Sequence, residues 1–119
     1  MTGSQKRRGD RAEREAAALL EHLTGTPTRR LLGAGRTDDR GDLDLPGWAI
    51  QVADWQQIAS ALRVKPLDAD TQAARSGLHG VAMLRLRGVG ARPVEWRMVM
   101  TPDTWARIAR IVAEHEETP

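Results

Sequence analysis

Arg40-Gly41-Asp42-Leu43-Asp44-Leu45-Pro46-Gly47-Trp48-Ala49-Ile50-Gln51-Val52-Ala53-Asp54-Trp55, residues 40–55, decides the fold. Pro46-Gly47 is a turn dipeptide: proline presets φ for the first turn position and glycine accepts the positive φ of the second. The segments on either side, Asp42–Leu45 and Trp48–Val52, are short, apolar and β-prone, and together they read as a hairpin. Asp42 then stands on the entering strand and Gln51 near the tip of the returning one.

Upstream, Thr28–Leu32 reads as a short edge strand, Gly33-Ala34-Gly35 as a break, and residues 36–40 as a polar loop. From Gly9 to Leu23, Ala12, Ala16, Leu19, Leu20 and Leu23 recur at spacings of three and four with charged residues between them, which predicts an amphipathic helix closed by Gly25 and Pro27. Downstream, Trp55–Leu62 and Asp68–Ser76 read as helix interrupted at Pro66, with Gly77 as the stop. Val81–Arg87 and Glu95–Met100 alternate as strands, the second with Trp96, Met98 and Met100 on one face, a stripe expected in the core. Thr101-Pro102-Asp103 carries a cap, a first-turn proline and a first-turn acid, and opens a last helix with the stripe Trp105, Ile108, Ala109 and Val112. The order is helix, three strands, helix, two strands, helix, which points to an α/β architecture with a mixed central sheet.

The chain has 119 residues, enough for one core. The expected organisation is a basic tail over residues 1–7, one domain over 8–115 and an acidic tail over 116–119. Phe, Tyr and Cys are absent, so Trp, Met and aliphatic residues must fill the core, and neither disulfides nor thiolate metal sites can form. No apolar run approaches the roughly 20 residues of a membrane helix. The basic start is followed by Asp10 and Glu13 rather than an apolar stretch. These features predict a soluble, cytoplasmic protein.

Net charge is +2, unevenly spread: nine of the eighteen basic residues lie in residues 1–40, and nearly all are arginine. Arginine's planar fork suits phosphate oxygens. A solvated face explains the same charges equally well.

Glu13, Asp42 and Gln51 are the candidates for chemistry. Hydrated Mg2+ takes hard oxygen ligands, at least one of them charged, and two carboxylates with a neutral amide carbonyl meet that need. The Val52 backbone carbonyl is a further candidate ligand. Taken singly, each has an ordinary explanation: a solvated helix glutamate, a turn-capping aspartate, a strand-edge glutamine. His22, His79 and His115 lack metal-ligand spacing. The Gly33 and Gly88 regions lack the Lys-Ser/Thr of a phosphate-binding loop. Trp48 and Trp55 suit either base stacking or core packing.

In order and spacing the chain resembles the archaeal and phage Holliday junction resolvase branch of the PD-(D/E)xK nucleases. Lys6-Arg7-Arg8-Gly9-x-x-x-Glu13-Arg14 resembles the family's Lys/Arg-Gly-x-x-x-Glu-Arg start. Arg40-Gly41-Asp42-Leu43 falls at its Pro-Asp or Gly-Asp, and Ala49-Ile50-Gln51-Val52-Ala53 at its hydrophobic pair followed by Glu-x-Lys. Gln72-Ala73-Ala74-Arg75-Ser76-Gly77 and the strand after it are similar to the family's second helix and next strand. The likeness spans roughly residues 6–112. It implies a restriction-endonuclease-like fold with a mixed five-stranded sheet flanked by helices, and a homodimeric Mg2+- or Mn2+-dependent enzyme that hydrolyses branched DNA. It further implies that Glu13, Asp42, Gln51 and the Val52 carbonyl hold the metal, and that Lys6, Arg7, Arg8, Arg11, Arg36, Arg40 and Gln72 contact DNA.

Two positions depart from the pattern. Gln51 replaces a carboxylate and keeps only a carbonyl oxygen. Ala53 stands where the family has its catalytic lysine, and a methyl group can neither orient water nor stabilise charge on a phosphate. Three readings of Ala53 compete: a substitution made to inactivate the enzyme, a cation supplied instead by Lys65 or Arg63, or a natural pseudo-nuclease that binds DNA without cutting it. The rival classes are a non-catalytic DNA-binding or assembly module that keeps the nuclease fold and the basic face, and an unrelated α/β interaction domain.

Overall fold

In the computed structural model, the described residues are 3–31, 41–88 and 93–117. The Pro46-Gly47 hairpin forms as its sequence dictates. β2 (Leu43–Leu45) pairs antiparallel with β3 (Trp48–Ala53), Leu45 lies opposite Trp48, and Gly47 takes the positive φ of 92° that its place in the turn requires. β1 (Arg29–Arg30) pairs antiparallel with the far edge of β2 and is shorter than the expected 28–32 strand. β4 (His79–Leu86) lies parallel to β3, and β5 (Glu95–Val99) lies antiparallel to β4 at the other edge. The result is a five-stranded mixed sheet in the order β1-β2-β3-β4-β5.

Three helices accompany the sheet among the described residues. α1 (Gly3–Thr24) starts six residues before the expected boundary, so the segment 3–7 expected as a tail is helical. α2 (Ile58–Ser76) provides the crossover that a parallel β3–β4 pair needs. It is one continuous helix, where a break at Pro66 was expected. Pro66 is buried in it, so apolar packing of the ring offsets the amide hydrogen bond it cannot donate. Gly77, in the left-handed region, ends α2 and donates its N–H to the Ala73 carbonyl. α3 (Pro102–Glu117) begins as its sequence announces, with the Thr104 amide directed at Thr101 Oγ1 at 3.4 Å.

Strand alternation divides the core between two faces. Ile50, Val52, Val81 and Met83 point to one side and pack with Leu43 against Ala12, Ala16, Ala17 and Leu20 of α1. Ala53, Ala82 and Leu84 point to the other side and pack with Ala61 of α2. That second interface is built from small residues, so α2 lies very close to the sheet. A Cβ on Gly80 would stand 2.7 Å from the Ala69 carbonyl carbon and 2.7 Å from Asp70 Oδ1. Close approach of backbones replaces the bulk that missing Phe and Tyr side chains would have supplied.

In α3, Thr104 is the one buried residue among those described, and the apolar stripe is exposed at Trp105 and Val112 and half-buried at Ile108 and Ala109. Of the Trp96, Met98 and Met100 stripe expected in the core, Trp96 and Met100 are half-buried against the α1-side cluster and Met98 is exposed. Among the described residues no helix is long and apolar enough to cross a membrane.

Candidate functional site

Asp42 sits where β2 parts from β3. Its backbone amide donates to the Ile50 carbonyl at 2.7 Å, and its carboxylate Oδ2 accepts the Val52 amide at 2.8 Å. The carboxylate thus stands in for a strand carbonyl and carries the ladder one step past the end of β2. Gly41 makes this possible. It adopts a φ of +94°, and a Cβ there would lie 2.6 Å from the Ile50 carbonyl oxygen. The Gly41-Asp42 pair is therefore fixed by close backbone approach as well as by any chemistry.

Glu13 projects from α1 toward this end of the sheet. Arg30 of β1 grips its Oε2 through Nε at 3.1 Å and through Nη2 at 3.0 Å, and the same Nη2 donates to Asp10 Oδ1 at 2.8 Å. Burial raises the Glu13 carboxyl above its ordinary value, and the negative charge of Asp42 raises it further, while Arg30 pulls the other way. Glu13 and Asp42 therefore share one electrostatic neighbourhood.

Gln51 points to the α2 face, as alternation along β3 demands. It is buried and its Nε2 donates to Gln72 Oε1, while Lys65 Nζ donates to its Oε1 at 3.4 Å. Both partners come from α2. Gln72, expected at the DNA, is half-buried and joined to Gln51. Lys65 also lies 5.3 Å from the centroid of the Trp55 ring, and Trp55 is 38% exposed. A cation and an open aromatic face thus flank Gln51.

Ala53 is almost fully buried and packs on Ala61 across the close α2 interface. A lysine at this position would have to push α2 away or bury its ammonium. Arg63, the other candidate replacement, is exposed on α2. Among the expected phosphate contacts, Arg11 is exposed, Lys6, Arg7 and Arg8 fall on the first turns of α1, and Arg36 and Arg40 lie outside the described residues. Trp48 tilts against His79 with ring centroids 5.7 Å apart and packs on the core, whereas His22 and His115 are exposed.

Sequence reading missed an ion network on the α1 face, one residue beyond the Ala53–Leu84 pair. The Asp54 side chain, 4% exposed, lies 3.5 Å from Arg85 Nη1 and 3.3 Å from Arg87 Nη2, and Arg85 Nε reaches Glu15 Oε2 at 2.9 Å. This network ties α1 to the ends of β3 and β4. It was invisible without the parallel register that sets Asp54 beside Arg85. Arg30 was missed too, although the i, i+3 spacing of Asp10 and Glu13 offered the signal of a shared basic partner.

The arrangement sets Glu13, whose carboxyl feels the charge of Asp42, beside β1 on α1, and joins Gln51 of β3 to Lys65 and Gln72 of α2. Among the described residues, no group of three or more acidic, histidine or cysteine side chains gathers as a metal centre. Glu13 and Asp42 are hard carboxylates of the kind Mg2+ takes together with several waters, and each has one oxygen engaged within the chain, Glu13 Oε2 by Arg30 and Asp42 Oδ2 by the Val52 amide. No protein-family model, curated protein or solved structure matches this chain.

Proposed function

We propose that this chain is a Mg2+- or Mn2+-dependent endodeoxyribonuclease with the restriction-endonuclease-like fold, selective for branched DNA, in which Lys65 supplies the cation absent at position 53. The observation that carries this reading is the placement of Lys65 Nζ, 3.4 Å from Gln51 Oε1. Gln51 stands where the family's second carboxylate would be, so a positive charge held at its side chain occupies the neighbourhood of the missing lysine. The burial of Ala53 against Ala61 supports the same reading, because a small residue there is demanded by packing.

Glu13 and Asp42 would hold the divalent ion, and when bound it supplies Lewis-acid stabilisation of the phosphate. The chain's own groups do the rest. Asp42 is fixed by the Val52 amide, and Gln51 is oriented by Gln72. Lys65, held between Gln51 and the Trp55 ring, offers its ammonium to a phosphate oxygen on which charge develops. Arg11, with the basic residues at the start of α1, positions the DNA backbone without reading sequence, as structure-selective binding requires.

One assay tests this. The parent chain, Lys65→Ala and Ala53→Lys are incubated with branched and linear DNA in Mg2+ or Mn2+. Cleavage of branched DNA by the parent, lost by at least about 100-fold in Lys65→Ala, is the expected result. Cleavage only by Ala53→Lys identifies an inactivated nuclease with its lysine at position 53. Binding without cleavage by any of the three establishes the alternative, a non-catalytic DNA-binding or assembly module, which the Arg30 clamp on Glu13 favours. Absence of binding by all three removes both readings.

A further inference from the structure

Two tryptophans suit base stacking by sequence, and the fold separates them. Trp48 packs on the α1-side cluster and tilts against His79. Trp55 belongs to neither apolar cluster and is 38% exposed. It stands two residues past the end of β3, in step with Gln51 and Ala53, and its ring meets Lys65 of α2. The chain is anchored on both sides of it. The Asp54 side chain, 4% exposed, lies 3.5 Å from Arg85 Nη1 and 3.3 Å from Arg87 Nη2, and α2 begins three residues after Trp55. An open indole on a fixed mount gives up little conformational freedom when a flat ligand settles on it.

Lys65 connects this ring to the site proposed above. Its ammonium lies 5.3 Å from the Trp55 ring centroid and 3.4 Å from Gln51 Oε1. A cation beside an aromatic face matches what one nucleotide presents, a charged phosphate next to a flat base. In paired duplex each base is covered by its neighbours in the stack. An indole can therefore take up only a base that has left the stack or was never paired.

We infer that Trp55 is a stacking platform for an unpaired nucleobase beside the branch point, a role that rests on the nuclease reading above with Lys65 facing the phosphate. The DNA taken by this site then carries single-stranded nucleotides at the branch, as a splayed fork or a flap does, and is not paired throughout. Trp105 provides the matched control. It is 63% exposed on α3, and among the described residues no cation lies against its ring.

The test reads binding without cleavage, in EDTA and in Ca2+. The full parent chain, Trp55→Phe, Trp55→Ala and Trp105→Ala are titrated against a splayed fork, a fully paired four-way junction and a linear duplex. The fork carries 2-aminopurine at its first unpaired position. Trp55→Ala should weaken fork binding at least about tenfold, and Trp55→Phe should recover most of the loss. Trp105→Ala should match the parent, and affinity for the two paired DNAs should not change. The parent should quench 2-aminopurine fluorescence, and Trp55→Ala should not. Equal loss on all three DNAs would show that Trp55 serves only to position Lys65, and would overturn the inference. So would a fork bound equally well by Trp55→Ala, or 2-aminopurine fluorescence unchanged when the parent binds. A parent that binds none of the three DNAs in either condition removes the nuclease reading itself, and the stacking role with it.

Discussion

At residue scale, one position often serves geometry and chemistry together. Gly41 is required both by its φ of +94° and by the 2.6 Å gap to the Ile50 carbonyl oxygen. Gly41→Ala should cost about 3 kcal/mol or more, read as a lower urea midpoint. Ala53→Lys should also destabilise by several kcal/mol, because the ammonium would be buried against Ala61. A melting temperature equal to that of the parent would show instead that the position can open to solvent. Glu13 makes a prediction about pH. Its carboxyl titrates above the ordinary 4.5 because burial and then Asp42 disfavour the charged form. The folded chain holds this proton more tightly than the unfolded one, so the associated stability is complete below the ordinary value and is lost as pH rises through the raised one. The stability of Glu13→Gln relative to the parent should therefore improve as pH rises from about 4 to 7, and the gap should stop changing at lower pH. Denaturant titrations across that range check it, and a gap constant throughout would contradict the electrostatic account.

At element scale, α2 and α3 are joined by one carboxylate. Asp70 accepts the hydroxyls of Thr101 and Thr104, and Arg107 donates to the Thr104 hydroxyl at 2.9 Å. Asp70→Ala should cost about 2–3 kcal/mol, since it removes two hydrogen bonds to a charged group and leaves the buried Thr104 hydroxyl short of an acceptor. Faster amide exchange in the first turn of α3, with the sheet core unchanged, is the expected signature. Local signals placed these helices well: the Thr101-Pro102-Asp103 start and the Gly77 stop are decided by residues within one turn of the boundary. Pro66 misled the reading for a definite reason. A proline removes one hydrogen bond locally, whereas the packing that keeps α2 continuous comes from a distant sheet face.

At the scale of the whole molecule, charge and shape matter more than single contacts. The basic residues crowd toward the beginning of the chain while Glu114, Glu116 and Glu117 lie at its end. If arginines near the start of α1 hold DNA phosphates, affinity should fall at least about tenfold between about 50 and 200 mM salt, through counterion release. Titrations of labelled branched DNA at several salt concentrations read this directly, and an unchanged affinity would remove the arginine-rich surface as the binding face. The radius of gyration, 15.0 Å, exceeds the roughly 13.5 Å expected for a compact chain of this length. An α3 that rests on its neighbours chiefly through Thr104 agrees with that excess.

The sequence by itself determined the element order, the hairpin at Pro46-Gly47, both ends of the α2–β4 connection and the start of α3, because these rest on short-range periodicity, turn residues and caps. Glu13, Asp42 and Gln51 were also legible as candidates, by type and spacing. Only the tertiary structure decided their grouping. Alternation along β3 sends Gln51 to the α2 face and Val52 to the α1 face, and the crossover helix brings Lys65 and Gln72 to Gln51 from fourteen or more residues away. The parallel register of β3 and β4, which pairs Asp54 with Arg85, carries no short-range signature, because a long connection leaves it free until both faces of the sheet are packed.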